Sequence, residues 1–318
     1  MNLLLTGASG FVGRALLQNL VEIGLRVKAC FRAQPHLQIN NCECLVIPDF
    51  TIHEEMAWKS ALSGIHTVVH AAARVHIMND KALNPLDEFR RVNTTGTLNL
   101  ARWAAEMGVK RFVFISSVKA MGEGTDIGSP FKADSPCHPV DPYGNSKREA
   151  EIGLLELAAQ TGLEVVIIRP PLVYGPQVKA NFAALMGWLA KGMPLPFAAV
   201  RDNRRSFVSL LNLVDFITVC TSHPGAANQV FLVSDAEDLS TADLLIKMGL
   251  ALARPAKLFN CPVMCLRWGA RVAGKEPVFD RLCGSLQLDV EKNRQILGWV
   301  PVQTVDEGLA AVAAGYRK

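Results

Sequence analysis

Two hydrophobic rhythms alternate through the first half of the chain. Leu3, Leu4 and Leu5 form a short unbroken apolar run of the kind a strand buried on both faces requires, and from Phe11 onward Val12, Leu16, Leu17, Leu20 and Ile23 recur at helical spacing. The same change of period repeats. Further strands are predicted at Arg26–Phe31, 44–47, Thr67–His70, 111–116 and Glu164–Arg169, with long helices over 85–107 and 143–160. Six strands joined by crossover helices predict an α/β fold, a doubly wound parallel sheet of the Rossmann kind.

After Pro170 the pattern breaks into proline-rich turns, short strands and short helices. This change predicts a dinucleotide-binding domain over 1–170, with a returning segment at about 211–234, and a smaller C-terminal substrate lobe made mainly of 171–318. The stretch 261–274 is apolar but carries Arg267 and Arg271, with Lys275 following. It reads as a basic amphipathic helix packed within the small lobe, with an interfacial membrane helix as the alternative.

Composition narrows the class. Half of the 318 residues are hydrophobic, which excludes a disordered chain, and no apolar run is long enough to span a membrane. A first strand beginning at residue 2 leaves no room for a signal peptide, so a cytoplasmic protein is expected. The net charge of +4, without blocks of like charge, gives no reason to expect a nucleic-acid partner and suits an anionic small molecule. The eight cysteines lack the spacing of a disulfide framework or a zinc site and read as reduced packing residues. His70 and His76 flank a strand end and are assigned no metal; Lys119 reads as a solvated loop lysine.

Three stretches carry candidate chemistry. Gly7, Gly10 and Gly13 follow one another three residues apart where strand passes into helix, within Thr6-Gly7-Ala8-Ser9-Gly10-Phe11-Val12-Gly13. Glycines allow a pyrophosphate to approach the backbone, and a helix start offers unpaired N–H groups, so the natural ligand is a dinucleotide. In Tyr143-Gly144-Asn145-Ser146-Lys147 the phenol and the ammonium are four residues apart and share one helix face. Ser116 and Ser117 close the predicted fifth strand, where a hydroxyl could meet a substrate carbonyl.

Together with Val68-Val69-His70-Ala71-Ala72-Ala73, Val92-Asn93-Thr94-Thr95-Gly96, Phe114-Ile115-Ser116-Ser117, Arg169-Pro170-Pro171-Leu172-Val173-Tyr174-Gly175-Pro176 and Arg205-Ser206-Phe207-Val208, these stretches resemble the extended short-chain dehydrogenase/reductases, the NAD(P)-dependent epimerase/dehydratase family. The resemblance implies Tyr143 as acid/base, Lys147 on the nicotinamide ribose and lowering the tyrosine's pKa, and Ser117 orienting the substrate oxygen. It also implies a cofactor lying on Gly7, Ser9, Gly10, Phe11, Val12, Gly13, Ala71, Ala72, Ala73 and Pro170, beside Asp49 and Phe50. Asn93 would tie the loop after strand four to the active-site strand, and Asn181 and Arg205 would meet the nucleotide of a UDP-sugar. A homodimer through the two long helices is the family's habit.

At the end of strand two, where NAD enzymes generally place an acid for the ribose hydroxyls, stands Phe31, followed by Arg32. A guanidinium suits a 2′-phosphate, so NADP(H) is expected, with NAD as the alternative. The resemblance extends to bacterial enzymes of surface-polysaccharide synthesis, and implies NADPH-dependent reduction of the C4 keto group of a UDP-4-keto-6-deoxy-N-acetylhexosamine. The alternative is a UDP-hexose 4-epimerase holding NAD tightly; a non-catalytic dinucleotide sensor is the third reading.

Overall fold

A computed structural model describes residues 1–35, 40–47, 55–75, 84–178 and 180–316. In chain order the elements are β1 (Asn2–Thr6), α1 (Phe11–Glu22), β2 (Arg26–Phe31), β3 (Cys42–Val46), α2 (Glu55–Leu62), β4 (Thr67–His70), α3 (Pro85–Phe89), a π-helical turn (Arg90–Gly96), α4 (Thr97–Glu106), β5 (Arg111–Ile115), α5 (Pro142–Thr161), β6 (Glu164–Arg169) and β7 (Leu172–Tyr174). The second half adds α6 (Ala180–Ala190), β8 (Phe207–Ser209), α7 (Leu210–Cys220), β9 (Gln229–Leu232), α8 (Thr241–Ala251), α9 (Val263–Val272), α10 (Glu276–Cys283), α11 (Glu291–Leu297) and α12 (Val305–Ala314).

Seven strands form one parallel sheet in the order β3-β2-β1-β4-β5-β6-β9. Strand side chains alternate between the two faces, and both faces are covered. Leu3, Leu5, Val113 and Ile168 pack with Leu16 and Leu20 of α1 and Phe216 and Ile217 of α7, whereas Leu4, Phe112, Phe114 and Ile167 pack with Trp58, Leu100, Trp103 and Leu154 on the other side. Burial on both sides explains the unbroken apolar runs 3–5 in β1 and 112–115 in β5. Strand order reverses between β1 and β4, and the crevice beyond their carboxyl ends is where ligands bind in such sheets.

Several boundaries differ from the sequence expectation. β3 starts at Cys42 and ends at Val46, because its register is set by pairing Cys42 with Val27 and Val46 with Phe31. α2 is short enough that its apolar spacing gives little signal. The helix expected over 85–107 is interrupted by the π-helical turn, in which the extra residue turns Asn93 and Thr94 toward α5. The returning segment carries the seventh strand, β9, against β6.

β7 and β8 pair in a separate two-stranded sheet. A smaller core lies beside it, built from Tyr174, Phe182, Met186, Leu245, Met248, Leu309 and Val312. The chain then goes back to the large sheet: Trp299 packs in its core, with its ring 4.8 Å from that of Phe216, and donates to Asp215 at 2.7 Å. All eight cysteines are free thiols. No helix among the described residues is long and apolar enough to cross a membrane.

Candidate active site

Glycine spacing sets up the first half of the site. Gly10 precedes α1, whose first turn carries no acidic residue and receives no side-chain cap, so its N–H groups are left for a ligand. A Cβ at Gly13 would run into the Gly7 carbonyl, so only glycine allows α1 to lie this close to the turn after β1. Gly7 itself has φ +72° and its α-carbon faces the Ala71–Ala72 backbone at the end of β4. The result is a cavity of about 510 Å³ at the point where strand order reverses, lined by Thr6, Gly7, Ser9, Gly10, Cys30, Phe31, Arg32, Trp58 and Ala71 to Val75 among others. A bare helix N-terminus, a backbone cradle with no room for Cβ atoms, and a guanidinium at the rim fit the phosphates of a dinucleotide.

Phe11, Val12 and Gly13 belong to the first turn of α1 and are not among the residues that line the cavity. Asp49, Phe50 and His76 lie outside the described residues. Pro170 is buried, and its carbonyl accepts from Val118 N at 2.9 Å; its neighbour Pro171 lines the second cavity. Asn93 ties the loop after β4 to α5 and not to the active-site strand. Its side chain accepts from Arg74 N at 2.8 Å and donates to the Arg74 carbonyl and to Ser146 Oγ, each at 3.0 Å. His70 is also structural: its ring nitrogens face Thr6 Oγ1 at 2.7 Å and Thr97 Oγ1 at 2.9 Å, and burial, then Lys147, pushes its pKa down to about 3.

The second half of the site is held by α5. Asp141 caps the helix by accepting from Gly144 N at 2.6 Å, and its other oxygen pairs with Lys119 Nζ at 2.5 Å. Lys119 also pairs with Glu123 at 2.6 Å, so it is a clamp between two carboxylates and not a solvated loop lysine. A Cβ at Gly144 would strike the Lys119 carbonyl, which explains the glycine after Tyr143: α5 rests directly on the turn that presents Ser117.

Tyr143 and Ser117 share this contact. Burial, then Asp141, raises the phenol's pKa to about 12, opposed by a hydrogen bond from Ser117. Lys147 lies one turn deeper. Its Nζ donates to the Ile115 carbonyl at 2.8 Å, sits 4.4 Å from the centre of the Phe114 ring and is 6.0 Å from that of Tyr143. Burial lowers its pKa to about 7 while Glu151 works the other way. The expected lowering of the tyrosine by the lysine is therefore absent from this state, since burial dominates both groups.

Ser116 and Ser117 are separated by what they touch. Ser116 Oγ donates to Glu151 Oε1 at 2.6 Å inside a buried network in which Arg169 grips Glu151 with Nε at 2.9 Å and Nη2 at 2.7 Å. Ser117 opens into a cavity of about 410 Å³ lined also by Tyr143, Pro171, Asn181, Phe182, Arg205, Thr241, Arg281 and Leu286. Val75 lines both cavities, so they adjoin there.

Arg205 and exposed Asn181 both face this second cavity. Burial, with Arg281 adding to it, lowers the Arg205 pKa to about 10 against the pull of Glu123. Arg281 was not legible in the sequence. It sits on a short helix far along the chain from Arg205, with no motif around it. Among the described residues its buried Nε has no hydrogen-bond partner, as expected of a donor that awaits an anionic ligand.

Fold and site together define an NAD(P)-dependent nucleotide-sugar enzyme on an extended short-chain dehydrogenase/reductase scaffold. A family model for the NAD dependent epimerase/dehydratase family matches residues 3–234, and the chain belongs to that family. It is 45% identical over 315 residues to a UDP-glucose 4-epimerase of Vibrio cholerae, covering 99% of this chain and 95% of that one. It is 28% identical over 322 residues, at 97% and 93% coverage, to an N-acetyl-alpha-D-glucosaminyl-diphospho-ditrans,octacis-undecaprenol 4-epimerase of Escherichia coli O157:H7. The crystal structure of a UDP-glucose 4-epimerase from Thermotoga maritima with UDP-glucose shares the fold, with a TM-score of 0.77 at 21% identity and coverage of 100% and 99%.

Proposed function

We propose that the protein inverts C4 of a UDP-linked hexose or N-acetylhexosamine, with NAD retained in the first cavity. The observation that supports this reading is that Ser117 and Tyr143 line the second cavity, which shares Val75 with the first, and that Lys147 is buried one helical turn from Tyr143. The 4-epimerase names of the relatives from Vibrio cholerae and Escherichia coli support it over a one-way reduction. Asp49, Phe50 and Pro170 are proposed with the glycine turn and Ala71 to Ala73 as the cofactor's surroundings. Asn93 positions the π-helical turn against α5.

A nicotinamide cofactor held on the Gly7–Gly13 turn would supply hydride acceptance and return at C4. Tyr143 Oη takes the proton of the C4 hydroxyl in the same step and gives it back once the sugar has presented its other face, so that atoms balance over the cycle. Ser117 Oγ–H, which lines the same cavity as Tyr143, holds the C4 oxygen while it carries charge, where such a bond lowers the barrier. Lys147 is anchored by the Ile115 carbonyl and would hold the cofactor ribose. Asn181, Arg205 and Arg281 hold the uridine diphosphate. The exposed Ile152 and Leu155 of α5 support a homodimer through the long helices, and a cytoplasmic location follows from a soluble UDP-sugar as substrate.

A second reading rests on one feature. β2 ends in Phe31 with Arg32 beside the cavity and no carboxylate, which favours NADPH and reduction of a UDP-4-keto-6-deoxy-N-acetylhexosamine. Mass spectrometry of nucleotide released from the purified protein separates the two. Stoichiometric NAD together with interconversion of UDP-glucose and UDP-galactose, or of their N-acetyl forms, supports the epimerase. NADPH consumption by the 4-keto sugar without any interconversion refutes it.

A further inference from the structure

We propose that the α9–α10 hairpin is a docking surface for the face of an anionic lipid bilayer. The stretch 261–274 was expected to pack within the small lobe as an ordinary amphipathic helix, but α9 buries none of its residues, nor does α10, although Leu282 rests against the lobe's core. Leu266 and Ala270 are the half-covered side of α9. The apolar residues that one would expect against the lobe point outward. Met264, Trp268 and Val272 are 75%, 71% and 70% exposed. Four residues apart each, they form one stripe along the helix.

A second stripe runs beside it. Arg267, Arg271 and Lys275 follow the apolar residues by three positions each and are all exposed. Arg271 approaches Glu276 only to 3.9 Å, with both side chains largely in solvent, so the cation is not neutralised there. Between Arg254 and Arg281 the chain has six basic residues and two acidic ones, an excess equal to the net charge of +4 of the whole protein. Tryptophan and methionine on one stripe with arginine and lysine on the next match the water–lipid boundary, where the aromatic ring lies among the headgroups and the cations meet lipid phosphates.

Charge also argues against a second copy as the occupant. A copy would bring the same cationic flank, with only Glu276 and Asp280 to offset it. The hairpin is continuous with the sugar site, since Arg281 and Leu282 on α10 line the second cavity. A docked hairpin therefore holds that cavity next to the membrane. The inference does not depend on which C4 reaction the site performs.

Co-sedimentation of the full-length protein with vesicles tests it. Binding is expected to phosphatidylcholine vesicles containing roughly a third phosphatidylglycerol and to be weak with phosphatidylcholine alone, because each cation near an anionic surface contributes about fivefold to partitioning. Replacing Arg267, Arg271 and Lys275 together by Gln should weaken binding on the order of a hundredfold and reduce its salt dependence. The pair Met264→Ser and Trp268→Ser should also lose binding, while both variants keep the circular dichroism and solution turnover of the parent. Failure of the parent to bind anionic vesicles, or unchanged binding by both variants, overturns the proposal. So does a parent dimer that the Met264→Ser, Trp268→Ser pair converts to monomers, which would mean that this face is covered by a second copy.

Discussion

Replacing Glu151 by Gln removes one charge from the most enclosed ionic network in the protein. Glu151 is wholly buried and Arg169 is 2% exposed. The carboxylate accepts two hydrogen bonds from the Arg169 guanidinium, one from Ser116 at 2.6 Å, and meets Arg148 at 3.2 Å. An amide keeps one acceptor oxygen but turns an N–H donor toward a guanidinium that only donates. With that oxygen in the Oε1 place, Arg169 keeps its Nε bond and the Ala133 carbonyl at 3.1 Å, but its Nη2 loses the acceptor it had at 2.7 Å and faces the new N–H. Breaking a buried pair from one side costs about 3–5 kcal/mol, a large part of a total stability of about 5–15 kcal/mol. The lower figure, about 3 kcal/mol, applies here because Ser116 keeps an acceptor. Urea unfolding should show the midpoint falling with little change in slope. The triple variant Glu151→Leu, Arg169→Met, Ser116→Ala, which removes all three fully buried polar side chains of the network, should recover most of the loss. A loss below about 1 kcal/mol for Glu151→Gln, or a triple variant no more stable than the single one, would refute the reasoning.

Tyr143→Phe should lower kcat by about a hundred- to ten-thousandfold with little change in stability, as loss of a proton-transferring group does; a steady-state assay with unaltered turnover would exclude the phenol from the chemistry. Lys147 has a pKa lowered to about 7, so between that value and the ordinary lysine range the unfolded chain binds the extra proton. Stability of the parent measured against Lys147→Met should accordingly rise as pH increases from about 7 to 10, and be lost as pH falls back through 7. A flat difference over that range would contradict it. Gly13→Ala should purify with far less than stoichiometric nucleotide, because its methyl group meets the Gly7 carbonyl; undiminished nucleotide by absorbance and mass spectrometry would count against the cradle. Arg32→Ala should lower NADPH efficiency relative to NADH if the reductase reading holds, and should leave the ratio unaltered if it does not.

Local pattern was enough for most of the frame. The unbroken apolar runs of β1, β4 and β6 announce burial on both faces, and the glycines three apart announce a strand meeting a helix around a phosphate. Tyr143 and Lys147 share a face because any helix places residues four apart together. What sequence could not carry was which distant group each side chain would meet. Ser116 and Ser117 look alike until α5 sets Glu151 against one and Tyr143 near the other. The pKa values of Tyr143 and Lys147 follow from a burial that exists only once β5 and α5 are packed, and Arg281 joins the site only because α10 folds back over the cavity. The apolar stripe of α9 is written at the same spacing as a packed helix, and it is exposed because no element among the described residues lies on that side. Periodicity specifies that a face is apolar; the path of the rest of the chain determines what, if anything, covers it.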